Sequence, residues 1–287
     1  MGLVKTLKRI VPSTLHRHLG VTRRWLRTIP PQVELQKKQL LSDPSLSSEE
    51  RDLLRKASTQ IYYGDTMYDG NAVHYYKVGL SAIGCINEAV KLAGLTEVRS
   101  ILDLPCGSGR VLRFLVNRFP EAEVTACELE RGPVEFCVRT FGAQAAHSSA
   151  DLSEVSLGKK FDLIWCGSLV THLNHRSIRE LLLVFQRHLS TKGLLIFTTH
   201  GDFVARRLSQ PESIYMLTEE QSKRVCENYP VAGYAFEDYL DSKDWGVSLT
   251  SPEWIRRQVR ELEGLREVFF KEQGWDNHQD VFGFVRE

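Results

Sequence analysis

The chain has 287 residues and a formal net charge of +1, with 42% hydrophobic and 25% charged residues. This composition predicts a globular protein with either one large domain or two small ones. The small net charge argues against a nucleic-acid-binding protein with a basic surface. No apolar run of about eighteen residues occurs, which argues against a membrane-spanning helix.

The six cysteines show neither a CxxC motif nor the regular spacing of a disulfide framework. Several fall in predicted strands, where a free cysteine behaves as a small apolar residue. We therefore expect reduced thiols and a cytoplasmic protein.

Residues 1–30 differ in charge from the rest of the chain. They contain seven Lys and Arg residues and no Asp or Glu; since the whole chain has a net charge of +1, the remainder carries −6. Apolar side chains are interleaved with these cations. Three interpretations are open: a basic tail or helix packed on the domain, an amphipathic segment on an anionic membrane surface, and an organelle transit peptide.

Three helices are predicted between residues 33 and 94. The first covers Val33–Leu41, and the second opens at Ser47 with a capping box and runs to about Ala57. The third runs from about Ala72 to Ala93, and Gly94 closes it as a C-cap.

From Val98 onward, short apolar runs alternate with helical patterns, which is typical of a parallel sheet with helices on both faces. The predicted strands are Val98–Leu104, Glu123–Cys127, Ala143–Ser149, Phe161–Cys166, Gly193–Thr199, Leu265–Gln273 and Val281–Val285. The predicted helices between them cover about 111–119, 133–141 and 176–189, and a further helix opens at Ser251-Pro252. An aromatic insertion of about fifty residues, 202–250, lies before that last helix.

The first strand leads into a turn with two glycines and then into a helix. Such a unit is typical of a nucleotide-type site, because small residues let a ligand approach the backbone and the helix N-terminus. Asp103 stands at the strand end, where a carboxylate would repel a phosphate and hold a cationic ligand. The pattern therefore favours a positively charged ligand without phosphate.

This stretch resembles the first motif of class I S-adenosylmethionine (SAM)-dependent methyltransferases, an acid followed by x-x-x-Gly-x-Gly. Asp103, Gly107 and Gly109 match it position for position, whereas Leu112 replaces the third glycine of a dinucleotide-binding GxGxxG. The resemblance covers about residues 98–200. It implies an α/β, Rossmann-like fold with a seven-stranded, mostly parallel sheet and helices on both faces, to which this chain adds an N-terminal helical extension.

The resemblance also implies a cofactor site at the carboxyl ends of the strands. An acid at the end of the second strand would bind the ribose hydroxyls, and one after the third strand would meet the adenine amino group. The small-residue loop after the fourth strand would lie beneath the transferring methyl group. The expected cofactor-binding residues are Asp103, Pro105, Cys106, Gly107, Ser108, Gly109, Glu128, Leu129, Asp151, Leu152, Cys166, Gly167 and Ser168.

The acceptor pocket has no motif of its own. In methyltransferases of this type the segment before the core commonly folds over the cofactor, and the insertion adds further aromatic residues. The substrate-binding candidates are Tyr62, Tyr63, Tyr68, Tyr76, Tyr215 and Trp245. For each tyrosine before the core, packing between helices is the alternative interpretation.

A hydroxyl acceptor benefits from a base within hydrogen-bonding reach, and imidazole titrates near neutral pH. His200, His172 and His278 follow strands at the expected ligand edge and are the candidates for this catalytic role. A hydrogen-bonded structural histidine is the alternative for each. The positions of paired acids in catechol-type enzymes hold Gly167-Ser168 and His200-Gly201-Asp202, so we predict no metal.

Together these features predict a SAM-dependent methyltransferase that acts on a small molecule, with oxygen favoured as the acceptor atom and S-adenosylhomocysteine as the product cofactor. The alternatives are a catalytically inactive SAM-binding protein and an NAD(P)-dependent oxidoreductase. We expect a basic, helical extension and lid in residues 1–95 and the SAM-binding domain in residues 96–287. No nucleic acid partner is predicted, and a peripheral membrane contact through residues 1–30 is one of the open interpretations.

Overall fold

The computed structural model describes residues 30–210 and 215–287. Nine strands occur in these residues, and their bounds are β1 Ser100–Asp103, β2 Glu123–Glu128, β3 Gln144–His147, β4 Phe161–Cys166, β5 Leu189–Thr199, β6 Tyr234–Asp238, β7 Gly246–Thr250, β8 Leu265–Trp275 and β9 Gln279–Arg286. Seven of them form one sheet in the order β3-β2-β1-β4-β5-β9-β8, while β6 and β7 form a separate hairpin. Strands β1 to β5 pair in parallel, and β9 is antiparallel to both of its neighbours. The predicted mostly parallel, seven-stranded sheet is confirmed.

The described helices lie before, between and after these strands. Their bounds are α1 Pro30–Leu41, α2 Ser48–Lys56, α3 Ala72–Ala93, α4 Leu112–Arg118, α5 Arg131–Phe141, α6 His175–His188, α7 Asp202–Leu208, α8 Glu219–Ala232 and α9 Pro252–Arg260. The capping box at Ser47 is present, with Glu50 as its partner, and Gly94 ends α3 in the left-handed conformation at φ 67°. The predicted bounds of these two helices therefore hold at the ends that carry a capping signal.

Alternating side chains of the central strands enter two hydrophobic clusters on opposite faces of the sheet. Ile101 and Leu163 face one cluster, whereas Leu102 and Ile164 face the other. The first cluster also contains buried residues of α1, α2 and α3, and the second contains those of α6 and α9. The N-terminal helices thus share a core with the sheet, and the boundary at residue 95 stays a prediction.

The insertion folds into a small layer of its own. Helices α7 and α8 and the β6–β7 hairpin bury a third cluster that includes Val204, Val225 and Leu249. No helix or strand is predicted from the sequence within this insertion.

Among the boundaries that differ from the predictions, two lie next to turns. Strand β5 begins at Leu189 rather than Gly193. Lys192, which precedes the predicted start, lies inside the strand and has a positive φ of 64°. Strand β8 extends to Trp275, so the long predicted loop shrinks to a turn in which Asp276 and Asn277 have positive φ. Pairing with neighbouring strands extends both elements past residues that locally favour a turn.

The cationic segment 1–30, apart from Pro30, lies outside the described residues. Among the helices that are described, none combines the length and the apolar character needed to cross a membrane. All six cysteines are described, and none is paired in a disulfide.

Candidate active site

The glycine loop of residues 105–109 leaves the sheet between two strands. The backbone N–H of Leu104 donates to Trp165 O (3.0 Å), and that of Cys106 donates to Cys127 O (2.9 Å). These bonds tie the loop to β4 on one side and to β2 on the other. Pro105 is half-buried, and Cys106 and Ser108 are buried. The loop is therefore fixed at the carboxyl edge of the sheet before α4 begins.

The two glycines of the loop serve different purposes. Gly107 has φ 47°, and a Cβ atom built there would meet no atom within 4 Å. Gly109 has φ 79°, and a Cβ atom there would overlap the ring of Phe141 and lie 3.1 Å from Cys137 Sγ. Gly109 thus allows close packing against α5, while Gly107 leaves open space beside the backbone, as a ligand cradle requires.

Asp103 lies at the end of β1 and is only 1% exposed. Its Oδ2 atom has no hydrogen-bond partner among the described residues. Burial, and secondarily the charge of Glu128, raises the pKa of Asp103 well above its usual value. A buried carboxylate in this state would be stabilised by a cationic ligand, which would lower that pKa again.

Glu128 ends β2 and brings its carboxylate to the glycine loop. Its Oε2 accepts from the backbone N–H of Gly107 (3.1 Å), and its Oε1 accepts from that of Leu129 (2.8 Å). Each oxygen keeps a further lone pair, which suits binding of neighbouring hydroxyl groups. The Leu129 side chain is exposed. The structure therefore brings together three predicted cofactor residues, Asp103, Gly107 and Glu128.

Asp151 follows β3 at the outer part of the same edge. Its side chain is exposed and accepts from the Ser153 backbone N–H (3.0 Å) and hydroxyl (2.6 Å), capping a short 3-10 helix. These hydrogen bonds lower the pKa of Asp151, so the carboxylate stays ionised. Leu152 is buried in the second cluster. The contact of Asp151 with adenine stays a prediction.

The loop after β4 is held by a closed ring of polar groups. The backbone N–H of Ser168 donates to Thr198 Oγ1 (2.8 Å), whose hydroxyl donates to Gln279 Oε1 (2.6 Å). The amide of Gln279 then donates to Ser168 Oγ (2.6 Å). Ser168 has φ 67°, Cys166 is buried, and a Cβ at Gly167 would lie 2.9 Å from the Trp275 ring. This loop is consequently rigid.

His172 joins the main sheet to the β6–β7 hairpin. Its ring stacks on Trp245 at 4.8 Å, and its Nδ1 lies 3.0 Å from both Gly246 O and the hydroxyl of Tyr239. Burial lowers the pKa of His172. These contacts occupy one ring nitrogen and one ring face in holding the hairpin, which is the structural alternative for this histidine. Trp245 itself remains 40% exposed.

His200, Tyr215 and His278 form a group of contacting rings at the ends of β5 and β8. The rings of Tyr215 and His278 lie 5.5 and 5.4 Å from that of His200, and the Tyr215 hydroxyl is 2.6 Å from His278 Nε2. His200 is buried, its Nδ1 has no hydrogen-bond partner among the described residues, and burial lowers its pKa well below the usual value. Burial also lowers the pKa of His278. Two predicted base candidates and one predicted substrate residue thus come together.

Of the tyrosines that precede β1, some are buried in the interior and others lie at the surface. Tyr68 and Tyr76 are 4% and 0% exposed, and the Tyr76 hydroxyl donates to Ser58 O (3.0 Å). Burial of both side chains agrees with the packing alternative, and their place in a substrate pocket stays a prediction. Tyr62 is half-buried against Phe136 of α5 at 5.5 Å, and Tyr63 is 44% exposed.

The comparisons with known proteins agree with this geometry. Residues 101–193 match the family model described as "Methyltransferase domain". Residues 101–193 are therefore similar to known methyltransferase domains.

Curated relatives of this methyltransferase domain share a limited region with the chain. It is 29% identical over 102 residues to the malonyl-[acyl-carrier protein] O-methyltransferase of Acetivibrio thermocellus, covering 35% of each protein. The protein of that name from Priestia megaterium is 28% identical over 106 residues, which cover 36% of this chain and 37% of that protein. The chain thus spans little more than a third of the length of these relatives.

Solved structures show the fold over a longer region. A SAM-dependent methyltransferase from Clostridium acetobutylicum aligns over 74% of this chain and 92% of its own, with a TM-score of 0.51 and 17% identity. DesVI from Streptomyces venezuelae aligns over 74% and 93%, with a TM-score of 0.50 and 15% identity. At these identities the likeness establishes the Rossmann-like methyltransferase fold.

Sequence reasoning missed several residues around the methyltransferase domain's ligand edge. Thr198 and Gln279 fix the Ser168 loop, and the available signal was a polar residue in an apolar strand at its ligand end. Asp280 is 2% exposed, and burial raises its pKa to about 6. Arg113 is fully buried, although it reads as an exposed helix cation. No local pattern indicated that a guanidinium would enter the core.

Arg113 connects the N-terminal segment to the glycine loop. Its Nε donates to Gly109 O (3.0 Å), and its Nη1 donates to Ser58 O (2.8 Å) and Gln60 O (3.2 Å). Its Nη2 donates to the hydroxyl of Tyr75 (3.3 Å), and the guanidinium also lies 5.0 Å from that ring. Arg113 therefore ties residues 58–60 to the glycine loop.

Proposed function

We propose that this protein is a SAM-dependent methyltransferase that transfers a methyl group to an oxygen atom of a small molecule and releases S-adenosylhomocysteine. The observation that carries the proposal is the buried Asp103 carboxylate, with its unpartnered Oδ2, beside an open glycine loop that is joined to Glu128. A cationic, phosphate-free cofactor satisfies that carboxylate, whereas a dinucleotide phosphate would be repelled by it.

The described residues fit SAM. Asp103 would hold a positive charge of the methionine part, the Gly107 backbone would approach it closely, and Glu128 would accept hydrogen bonds from the ribose hydroxyls. Asp151 would meet the adenine amino group. When bound, SAM supplies an electrophilic methyl group on its sulfonium sulfur.

The protein's own contribution to the transfer is positioning and proton removal. Methyl transfer is an in-line displacement, so a rigid loop that aligns the acceptor can supply much of the acceleration. We assign that role to the Ser168 loop, which three hydrogen bonds hold in place. For a hydroxyl acceptor, His200 would take the proton, since its lowered pKa keeps the imidazole neutral at pH 7. Tyr215 and His278 would hold the acceptor side of the pocket.

Oxygen is proposed as the acceptor atom for two reasons. The curated relatives that match residues of the core are named O-methyltransferases of malonyl-[acyl-carrier protein]. In addition, the loop after β4, Gly167-Ser168-Leu169, differs from the Asp/Asn-Pro-Pro-Tyr/Phe motif with which nucleic-acid N-methyltransferases hold an amine. Within the described residues no group of three metal-ligating side chains is assembled, so the proposal does not invoke one.

Calorimetric titration tests the cofactor assignment. Wild-type protein should bind S-adenosylhomocysteine, and Asp103→Asn and Glu128→Gln should each weaken binding by about tenfold or more, since each removes a charged hydrogen-bond partner. Glu130→Gln, which changes an exposed acid two residues after Glu128, is the matched control and should bind like the wild type.

The titration also separates the alternatives. Binding of NADH with no binding of S-adenosylhomocysteine would replace the proposal by an oxidoreductase. Binding of S-adenosylhomocysteine with unchanged affinity in both variants would move the cofactor away from the glycine loop. A SAM-binding protein without activity would bind normally and yet transfer no methyl group to any member of an acceptor panel of hydroxyl, carboxyl and amine compounds.

We also propose that residues 1–30 contact an anionic membrane surface and that residues 30–95 serve as a lid. The first rests on the seven cations and interleaved apolar residues, the second on the tie between residues 58–60 and the glycine loop. Deleting residues 1–29 should abolish binding to anionic liposomes and leave turnover of soluble acceptors intact. Unchanged liposome binding would contradict the membrane proposal.

A further inference from the structure

Arg110 is a cation next to the glycine loop of the proposed methyltransferase site. It directly follows Gly109, and its guanidinium carbon lies 5.5 Å from the centre of the Trp275 ring. That ring packs edge-on against Trp165 at 5.5 Å and contacts the Gly167 backbone, where a Cβ would lie 2.9 Å from it. The guanidinium is therefore close to the glycine loop, and its ring partner contacts the loop after β4.

The guanidinium of Arg110 lacks the partners that Arg113 has, one helical turn further on. Arg113 donates to three backbone carbonyls and a tyrosine hydroxyl. Within residues 30–210 and 215–287, no carboxylate lies within 4.0 Å of Arg110, and no acceptor forms a hydrogen bond with its guanidinium. Its stacking on Trp275 alone leaves five N–H donors unused.

The nearest acids are engaged by other donors. Asp65 accepts from the Tyr75 hydroxyl (2.6 Å) and from the Met67 backbone N–H (2.9 Å). Asp276 Oδ2 lies 3.8 Å from His74 Nε2. Both acids act on Arg110 from a distance, but the largest effect on its pKa is burial, which lowers it. A half-buried guanidinium without a protein acceptor can still pair with an anionic ligand.

We propose that Arg110 binds a carboxylate in the proposed methyltransferase site. A guanidinium matches a carboxylate with two parallel hydrogen bonds, and the Trp275 ring holds its plane in place. Two sources of this carboxylate are compatible with the geometry. One source is the methionine part of the cofactor, whose positive charge would face Asp103. The other is an acidic acceptor. The inference rests on the proposed function, because both sources presuppose that site.

The test compares Arg110→Gln and Arg110→Lys with Arg118→Gln, a control arginine at the end of helix α4, which begins two residues after Arg110. The probes are S-adenosylhomocysteine, 5′-methylthioadenosine, which keeps the nucleoside and sulfur but has no carboxylate, and malonate added to protein saturated with S-adenosylhomocysteine. Each is titrated by calorimetry, and thermal unfolding shows whether each variant is folded. Arg110→Lys keeps the charge without the planar fork, so an intermediate loss is expected from it.

Either of two results supports the proposal and names the source. If the cofactor supplies the carboxylate, Arg110→Gln lowers the affinity for S-adenosylhomocysteine by about tenfold or more and leaves the affinity for 5′-methylthioadenosine unchanged. If the acceptor supplies it, both nucleosides bind normally, while malonate binds the wild type and its affinity falls about tenfold in Arg110→Gln.

The proposal is overturned if folded Arg110→Gln binds all three probes as the wild type does, or if malonate fails to bind the wild type while both nucleosides are unaffected. The failure of the proposed function looks different, since wild-type protein would then not bind S-adenosylhomocysteine at all. The Arg118→Gln control should match the wild type throughout.

Discussion

The glycine loop at residues 105–109 and the insertion at residues 202–250 both follow strands at the carboxyl edge of the sheet, yet they are held in different ways. Backbone hydrogen bonds to β2 and β4 fix the glycine loop, and two positive-φ glycines shape it. Side chains distant in sequence hold the insertion, as His172 does against Tyr239 and Trp245. Backbone hydrogen bonds to neighbouring strands thus fix the proposed cofactor half, while contacts between side chains hold the proposed acceptor half.

The largest expected effect comes from the arginine that ties the N-terminal segment to the glycine loop. Arg113→Leu should lower the free energy of unfolding by about 3–5 kcal/mol, because it removes the hydrogen bonds that the buried guanidinium donates to Gly109 O, Ser58 O, Gln60 O and the Tyr75 hydroxyl. Denaturant unfolding measures the effect. Arg118→Leu is the control on the same helix. A loss below about 1 kcal/mol would show that the tie contributes little.

The two glycines should separate folding from binding. Gly109→Ala should lower the free energy of unfolding by about 2–3 kcal/mol, because the added Cβ meets Phe141 and the residue has φ 79°. Gly107→Ala meets open space and should cost only about 1 kcal/mol in strain, yet it should abolish binding of S-adenosylhomocysteine. Equal effects of both variants on stability would contradict the difference in their roles.

Asp103 should lower the stability of the ligand-free protein at high pH and strengthen the binding of S-adenosylhomocysteine. Because its pKa is raised in the fold, its contribution to stability is full below the unfolded pKa near 4 and is lost as the pH rises through the folded pKa. Asp103→Asn removes this loss, so the variant without ligand should be more stable than the wild type at pH 8 by about 1 kcal/mol or more, since one pKa unit corresponds to about 1.4 kcal/mol.

The same variant should bind S-adenosylhomocysteine more weakly, and unfolding curves between pH 4 and pH 8 measure the stability difference. Two parallel pH profiles for Asp103→Asn and the wild type would show that Asp103 does not ionise with a shifted pKa.

The smallest effect belongs to the insertion. Tyr239→Phe removes the hydroxyl next to His172 Nδ1 and should lower the free energy of unfolding by about 0.5–1.5 kcal/mol. Local opening of the β6–β7 hairpin, followed by amide hydrogen exchange at Gly246, should increase more than exchange in β1. Uniform exchange changes in both elements would show that the hairpin is not a separate unit.

Part of the site was predictable because it follows from residue type and order. Asp103, Gly107 and Glu128 stand at strand ends or in a turn, and a parallel sheet brings those ends to one edge. The burial of Tyr68 and Tyr76 was not predictable, because the same tyrosine pattern suits a lid and a packed helix. The Tyr215–His278 contact joins residues 63 positions apart, and no local pattern indicates it.

The sequence by itself determined the alternation of strands and helices, the seven-stranded sheet, the helix caps at Ser47 and Gly94, and the glycine loop that identifies the candidate cofactor site. Periodicity, capping residues and positive-φ glycines are local properties, so they can be read along the chain. The tertiary structure decided which charges are buried and which are partnered. Arg110 and Arg113 have the same side chain three residues apart, and only the packing around them gives Arg113 four acceptors and leaves the Arg110 guanidinium without one among the described residues.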